Sequence, residues 1–314
     1  MNAVSTSVEL KHDLLTGMEW NPSQVRALFA LAAEMKARPD QFRTSLAGRV
    51  LILLFEKPSL RTRVTFEVGI ANLGGSSIFL DHTASRLNER EPTRDIAKNL
   101  ERWVQGIIAR VFEQQTLDEL AQNAGVPVIN ALSDRFHPCQ ALADFLTLEE
   151  RFGGLRGLKL AYVGDGNNMC HSLITFAART GAHMRVATPA GYEPADDVVA
   201  EAKRVARETR AKIELFQSPE DAVAGAQAVY TDVWASMGQE SEAAERERIF
   251  AGYQVNEELF ALAARDAVFL HCLPAHRGLE VSSEVIDSPR SIIYDQAENR
   301  LHVQKAILHT LLNN

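Results

Sequence analysis

Short apolar runs alternate along the chain with segments whose apolar residues recur at helical spacing. The clearest run is Arg49-Val-Leu-Ile-Leu-Leu-Phe55, which is bounded by polar residues and reads as a buried strand at about 49–55. After it, Val64-Thr-Phe-Glu-Val-Gly69 carries apolar side chains at helical spacing. Asn21-Pro22 is a cap followed by proline at the first helical position and predicts a helix to about Arg38. Further strands are predicted at about 76–80, 106–112 and 126–130, and a long helix from His137 to Leu148. Gly153, Gly154 and Gly157 then break the pattern and mark a boundary. The alternation resumes with strands at Leu158–Val163, Met184–Ala187, Lys212–Phe216, Ala226–Tyr230 and Ala267–Leu270. A helix is expected from the turn Gly164–Asn168 to about Thr180, and Ser291 to Leu312 reads as mostly helical.

Strands that alternate with helices imply parallel sheets covered on both faces. The expected fold class is therefore α/β, with two similar-sized domains, each a parallel sheet flanked by helices. The expected division is 1–152, 153–290 and a C-terminal helix, 291–314, that returns to the first domain. Ligands of such sheets bind beyond the carboxyl ends of the strands, and most of the polar groups considered next fall there.

Composition narrows the class. The 314 residues are 46% hydrophobic and 24% charged, ordinary for a globular chain of two domains, and no apolar stretch approaches a membrane span. Met1-Asn-Ala-Val-Ser lacks the basic start and apolar core of a signal peptide. Cys139, Cys170 and Cys272 are odd in number, widely spaced and form no CxxC pattern, so free thiols in a reducing cytoplasm are expected, with no metal site. A formal net charge of −8 argues against nucleic acid as the main partner. It leaves room for a small anion, because a site is set by local charge.

Ser59-Leu60-Arg61-Thr62-Arg63 places hydroxyls and guanidinium groups where a strand ends and a helix begins. Free N–H groups and the positive end of the helix dipole collect there, which suits a phosphate. Arginine adds a planar fork that grips two oxygens. The competing reading is a plain helix cap with solvated arginines. Arg110 ends a strand and is either an anion ligand or a solvated strand end. His137 and Gln140 share a helix face and could both donate to one oxygen, or act as a capping pair; Cys139 between them reads as a small core residue. Gly164-Asp-Gly-Asn-Asn168 follows a strand, but Met169 occupies the third glycine position of a dinucleotide fingerprint, so a polar contact from Asn168 to a small ligand fits better. Asp232 lies just beyond a strand end, where it suits an ammonium group, and Ser236-Met237-Gly238 follows it. His271-Cys272-Leu273-Pro274 follows the last strand; with no base–orienter pair readable nearby, covalent catalysis by Cys272 is disfavoured.

Each segment alone is weak, but together they resemble the aspartate/ornithine carbamoyltransferase family, from about Asp13 to Leu312. Phe55-Glu-Lys-Pro-Ser-Leu-Arg-Thr-Arg63 resembles the family's carbamoyl-phosphate loop, and His137-Pro-Cys-Gln140 its H-P-x-Q motif. Asp232, Ser236-Met237-Gly238 and His271-Cys-Leu-Pro274 resemble the ornithine branch, and Gln296-Ala-Glu-Asn-Arg300 the late arginine segment.

The resemblance implies that residues 1–152 form a carbamoyl-phosphate domain and 153–290 an ornithine domain. Ser59, Leu60, Arg61 and Thr62 would hold the phosphate, with Leu60 contributing its backbone N–H, and Arg300 would complete the anion site. Arg110, His137 and Gln140 would reach the carbamoyl group, with Pro138, Cys139, Cys272 and Leu273 lining the same site. Asn168, Asp232, Ser236 and the Met237 backbone would bind ornithine, and Cys272 would orient its δ-amine. Arg110, His137 and Cys272 are thus the implied catalytic residues. Donors aimed at the tetrahedral oxyanion lower the barrier to direct attack by the neutral amine, with no metal or organic cofactor. The family also implies a homotrimer, or a multiple of it, with sites at subunit interfaces. Three positions depart from its pattern: Leu60 replaces a threonine, Gln114 stands where many relatives carry histidine, and the loop Ser85–Pro92 lacks an inter-subunit glutamine, Arg86 being the nearest counterpart. Another acceptor, such as putrescine or an N-acylornithine, and a non-catalytic binding protein on the same fold are the alternatives.

Overall fold

The computed structural model describes residues 13–82, 87–89, 91–235 and 240–313. The chain divides into two compact units: residues 1–131 with 301–314, and residues 132–300. In the first unit the elements are α1 (Pro22–Ala37), β1 (Val50–Phe55), α2 (Leu60–Asn72), β2 (Ser76–Asp81), α3 (Thr93–Leu100), β3 (Gly106–Arg110), α4 (Gln114–Asn123) and β4 (Val128–Leu132). The second holds α5 (Pro138–Phe152), β5 (Lys159–Val163), α6 (Asn168–Thr180), β6 (His183–Ala187), α7 (Asp196–Thr209), β7 (Ile213–Phe216), α8 (Pro219–Val223) and β8 (Ala228–Thr231). It continues with α9 (Ala243–Phe250), α10 (Glu257–Ala261), β9 (Val268–Leu270), α11 (Ser283–Ile286) and the start of α12 (Ile293–Leu312).

The local chemistry explains the main boundaries. Asn21 Oδ1 accepts from the N–H groups of Ser23 (2.9 Å) and Gln24 (3.0 Å), and Gln24 Oε1 accepts from the Asn21 N–H at 2.7 Å, which closes a capping box on α1. β1 is buried along nearly its whole length, as its continuous apolar run requires. α5 is buried from Pro138 to Leu148 and ends at Gly153, whose φ of 74° is the left-handed conformation that glycine adopts without strain.

Unit one carries a four-stranded sheet of order β2-β1-β3-β4, and unit two a five-stranded sheet of order β7-β6-β5-β8-β9. Strands β2, β1 and β3, and all neighbours in the second sheet, pair in parallel. Each sheet therefore has a switch point, between β1 and β3 and between β5 and β8, where successive connections leave in opposite directions and a crevice opens at the strand ends. The second half of α12 packs on unit one: Leu312 lies against Gly106, and Lys305 and Leu301 lie against Gly69.

Candidate active site

On unit one, the switch point falls beside the Ser59 loop. Register pairs Phe55 with Arg110, so the arginine ends its strand alongside the end of β1. Ser59 caps α2: its Oγ accepts from the Thr62 N–H at 3.3 Å and lies 3.0 Å from Thr62 Oγ1. Thr62 is buried, Arg61 half-buried, and Leu60 is 76% exposed at the first helical position. The Ser59 hydroxyl thus caps the N-terminus of α2, with Arg61 in the same first turn. Arg63 is held elsewhere: it pairs with Glu67 at 3.0 Å and lies 3.7 Å over the Phe79 ring. Gln114 Nε2 donates to Asp118 at 3.1 Å along the first turn of α4. Glu56, to which the sequence alone assigns no role, is a buried carboxylate whose oxygens accept from the N–H groups of Leu87 (2.7 Å) and Phe112 (2.8 Å). It ties the ends of β1 and β3 to the segment containing Leu87.

On unit two, three strand ends converge. Register pairs Val163 with Thr231 and Tyr230 with Leu270, which sets Asp232 beside the Gly164 turn on one side and Cys272 on the other. Cys272 Sγ donates to Asp232 Oδ1 at 3.0 Å, and Asn167 Nδ2 donates to Asp232 Oδ2 at 2.9 Å. Asn167 also caps α6, accepting from Met169 and Cys170. The next residue, Asn168, turns away from Asp232 and donates to the Ser133 carbonyl at 2.6 Å. Two adjacent asparagines thus divide the work, and helix phase decides which meets the carboxylate. Gly166 of this turn has a packing reason: a Cβ there would lie 2.4 Å from the backbone of Glu193 and Pro194.

The Cys272 turn is braced from below. His271 Nδ1 accepts from the Leu273 N–H at 2.9 Å, and its Nε2 faces buried Glu280 at 3.2 Å. Nδ1 therefore carries no proton, and Nε2–H donates to the carboxylate. Asp232, His271 and Cys272 each bring a ligand atom within 4.8 Å of the others, a spacing that could hold a metal ion. Both imidazole nitrogens are engaged, however, which leaves that trio two available donors. Leu273 has a left-handed φ of 59° and is followed by a cis peptide to Pro274. Burial, then the charge of Asp232, pushes the Cys272 thiol well above its ordinary value, so it is a protonated hydrogen-bond donor and a poor nucleophile.

His137 directly precedes α5; it is buried, and its N–H donates to Ser172 Oγ at 2.7 Å. Pro138 and Cys139 follow in the buried first turn, where desolvation pushes the Cys139 thiol up to about 12. Gln140 and Asp144 lie one turn apart and are buried; Gln140 Nε2 donates to Asp144 Oδ1 at 2.8 Å. Gln296 of α12 donates to the same oxygen at 2.7 Å, and Asn299 donates to Thr147 (2.9 Å) and Glu150 (2.7 Å), so the start of α12 is tied to α5. Arg300 ends that segment, buried, with its charge near Cys139 and Asp144. Ser236, Met237 and Arg86 lie outside the described residues.

Known proteins resemble both halves of the chain. Residues 12–150 match the family model for the aspartate/ornithine carbamoyltransferase carbamoyl-P binding domain, and residues 156–311 match the model for its Asp/Orn binding domain. An ornithine carbamoyltransferase of Thermus thermophilus is 52% identical over 307 residues, 98% of each chain. This chain belongs to the ornithine carbamoyltransferase family. The ornithine carbamoyltransferase of Pyrococcus horikoshii is 48% identical over 97% of each chain. Among solved structures, the ornithine carbamoyltransferase from Pyrococcus furiosus matches with a TM-score of 0.94 at 46% identity, over 98% of this chain and 99% of that one. The anabolic ornithine carbamoyltransferase from Campylobacter jejuni matches with a TM-score of 0.92 at 37% identity, over 96% and 99%.

Proposed function

We propose that this chain transfers the carbamoyl group of carbamoyl phosphate to the δ-amino group of L-ornithine, giving L-citrulline and phosphate. The observation that carries the ornithine reading is the Cys272–Asp232–Asn167 cluster at the β8 and β9 ends of a chain in this family. Ser59, the Leu60 N–H, Arg61 and Thr62 bind the phosphate, and Arg300 completes the anion site. Arg110, His137 and Gln140 contact the carbamoyl group, with Pro138, Cys139 and Leu273 lining its site. A tetrahedral oxyanion forms as the neutral amine attacks, and cationic donors stabilise both it and the leaving phosphate.

Asp232 pairs with the α-ammonium of ornithine, and Asn168 exchanges the Ser133 carbonyl for its α-carboxylate. Ser236 and the Met237 backbone bind ornithine with them. Cys272, a protonated donor and acceptor, orients the δ-amine without forming a covalent intermediate. The chemistry calls for no metal or organic cofactor, because phosphate leaves readily and the amine is nucleophile enough. The boundary at 152/153 separates the carbamoyl-phosphate domain from the ornithine domain in this reading, with 291–314 returning to the first.

The chain acts in arginine biosynthesis in the cytoplasm as a homotrimer; no helix among the described residues is long and apolar enough to cross a membrane. The assembly reading is supported by an apolar stripe on α2, where Leu60, Val64 and Val68 recur every four residues and are exposed, beside exposed Ile78 and Leu80 of β2. A second copy of the chain covers it, and sedimentation equilibrium tests this by the mass. The acceptor is tested by turnover with L-ornithine, putrescine, Nα-acetylornithine and L-aspartate at equal concentration. Ornithine is expected to lead by at least tenfold; a lead by putrescine would overturn the assignment of Asp232 and Asn168.

A further inference from the structure

The two ends of a glutamine amide differ in chemistry, and whatever holds one end decides what the other presents. Gln140 Nε2 donates to Asp144 Oδ1 at 2.8 Å, one helical turn along α5. Its Oε1 is buried and has no hydrogen-bond partner among the described residues. Gln140 is 1% exposed and Asp144 0% exposed, so neither can exchange partners with bulk water. The same Asp144 oxygen accepts from Gln296 Nε2 at 2.7 Å, and Gln296 Oε1 accepts from the His271 N–H at 3.1 Å. One carboxylate thus orients two amides, one beside His137 and one beneath the Cys272 turn.

The geometry points to Asp144 as a positioning residue that selects carbamoyl over acyl phosphates: by holding Nε2 of Gln140 it leaves the buried Oε1 acceptor free for a ligand, where only a substrate bearing an N–H can satisfy it. This rests on the reading that Gln140 meets the carbamoyl group. An acetyl group has the shape of a carbamoyl group but carries methyl in place of NH2, so on binding it leaves a buried acceptor unpaired. Without the carboxylate the Gln140 amide would rotate, and its N–H end would face either substrate indifferently. Burial pushes the Asp144 carboxyl up to about 7, against the pull of Gln140, Gln296, Tyr230 and Arg300, which marks how fully this carboxylate is enclosed by the groups it orders.

The test compares wild type with Asp144→Ala, Asp144→Leu (which fills the volume should the alanine variant fail to fold) and Asp144→Asn. KM for carbamoyl phosphate is read from citrulline formation, and Ki values for acetyl phosphate and inorganic phosphate from competition. In the alanine and leucine variants the KM for carbamoyl phosphate is expected to rise roughly 10- to 100-fold, with a smaller fall in kcat, while Ki for acetyl phosphate and for phosphate moves less than about threefold. Asp144→Asn still offers an oxygen to Gln140 Nε2 and is expected to bring the carbamoyl-to-acetyl ratio back to within about threefold of wild type. An unchanged ratio in the alanine and leucine variants, or an equal loss for all three ligands, would overturn the proposal. A wild type that forms no citrulline would instead remove the reaction assigned above; the carbamoyl-to-acetyl affinity ratio, measured by calorimetry, would then still test Asp144.

Discussion

Asp232→Asn isolates the charge at the centre of the amino-acid site. Asp232 is 7% exposed and accepts from Cys272 Sγ at 3.0 Å and Asn167 Nδ2 at 2.9 Å. Asparagine keeps the size and one acceptor oxygen but replaces the other with a donor. The remaining oxygen stays on Asn167, because sulfur is the weaker partner and tolerates facing an N–H. The fold should therefore lose only about 1–2 kcal/mol. Binding loses more: a charged hydrogen bond to the α-ammonium contributes about 1.5–3 kcal/mol, or roughly 10- to 150-fold in kcat/KM for ornithine. The assay is steady-state citrulline formation with each substrate varied in turn, alongside thermal unfolding. KM for carbamoyl phosphate should stay within about threefold, and the preference for ornithine over Nα-acetylornithine should shrink. A second readout comes from the thiol: Asp232 is among the groups raising Cys272, so its removal lets the thiol ionise more readily and speeds alkylation by iodoacetamide. An ornithine KM within threefold of wild type, or an equal loss for both substrates, would refute the placement of the ammonium at Asp232.

Arg61→Ala removes a guanidinium from the first turn of α2 and should lower kcat/KM for carbamoyl phosphate by about 10²- to 10³-fold with the melting temperature little changed; near-normal turnover would displace the phosphate site from this helix. His171 is buried between the Arg135 carbonyl (2.9 Å from Nδ1) and the Ala195 N–H (2.9 Å from Nε2), and burial holds its pKa below 6.5. A lowered histidine pKa means that the folded chain resists protonation, so its contribution is present above about pH 6.5 and is lost as pH falls toward the folded value. His171→Ala should cost roughly 1–3 kcal/mol at pH 8 in denaturant unfolding and should flatten the decline of stability between pH 7 and 5; an unaltered slope would show that other groups carry it.

The elements most legible in the sequence are those whose determinants are local. The Val50–Phe55 run names a strand buried on both faces, and the Asn21-Pro22-Ser23-Gln24 box names a helix start, because burial period and capping act within a few residues. Strand ends shift by up to two residues where the run continues into a loop: β3 stops at Arg110, and Val111 is buried beyond the sheet. The short helices α9, α10 and α11 are not legible in the sequence, since four to eight residues give too little period to read. The site divides in the same way. Ser59, Arg110, Asp232 and Cys272 stand at strand ends that periodicity locates. Asp144 did not stand out, because its meaning depends on Gln296, 152 residues away, and on burial that one sequence does not display. Asn167 and Asn168 are indistinguishable until the start of α6 sets which one caps the helix and which one turns to Ser133.

The most direct test of the central claim follows the carbon itself. Carbamoyl phosphate labelled with 13C, L-ornithine and EDTA-treated protein are combined and watched by NMR while phosphate is counted. The account predicts that the label appears in the ureido group of citrulline, one citrulline for each phosphate released. Phosphate release without citrulline, or label delivered to another nitrogen, would contradict it.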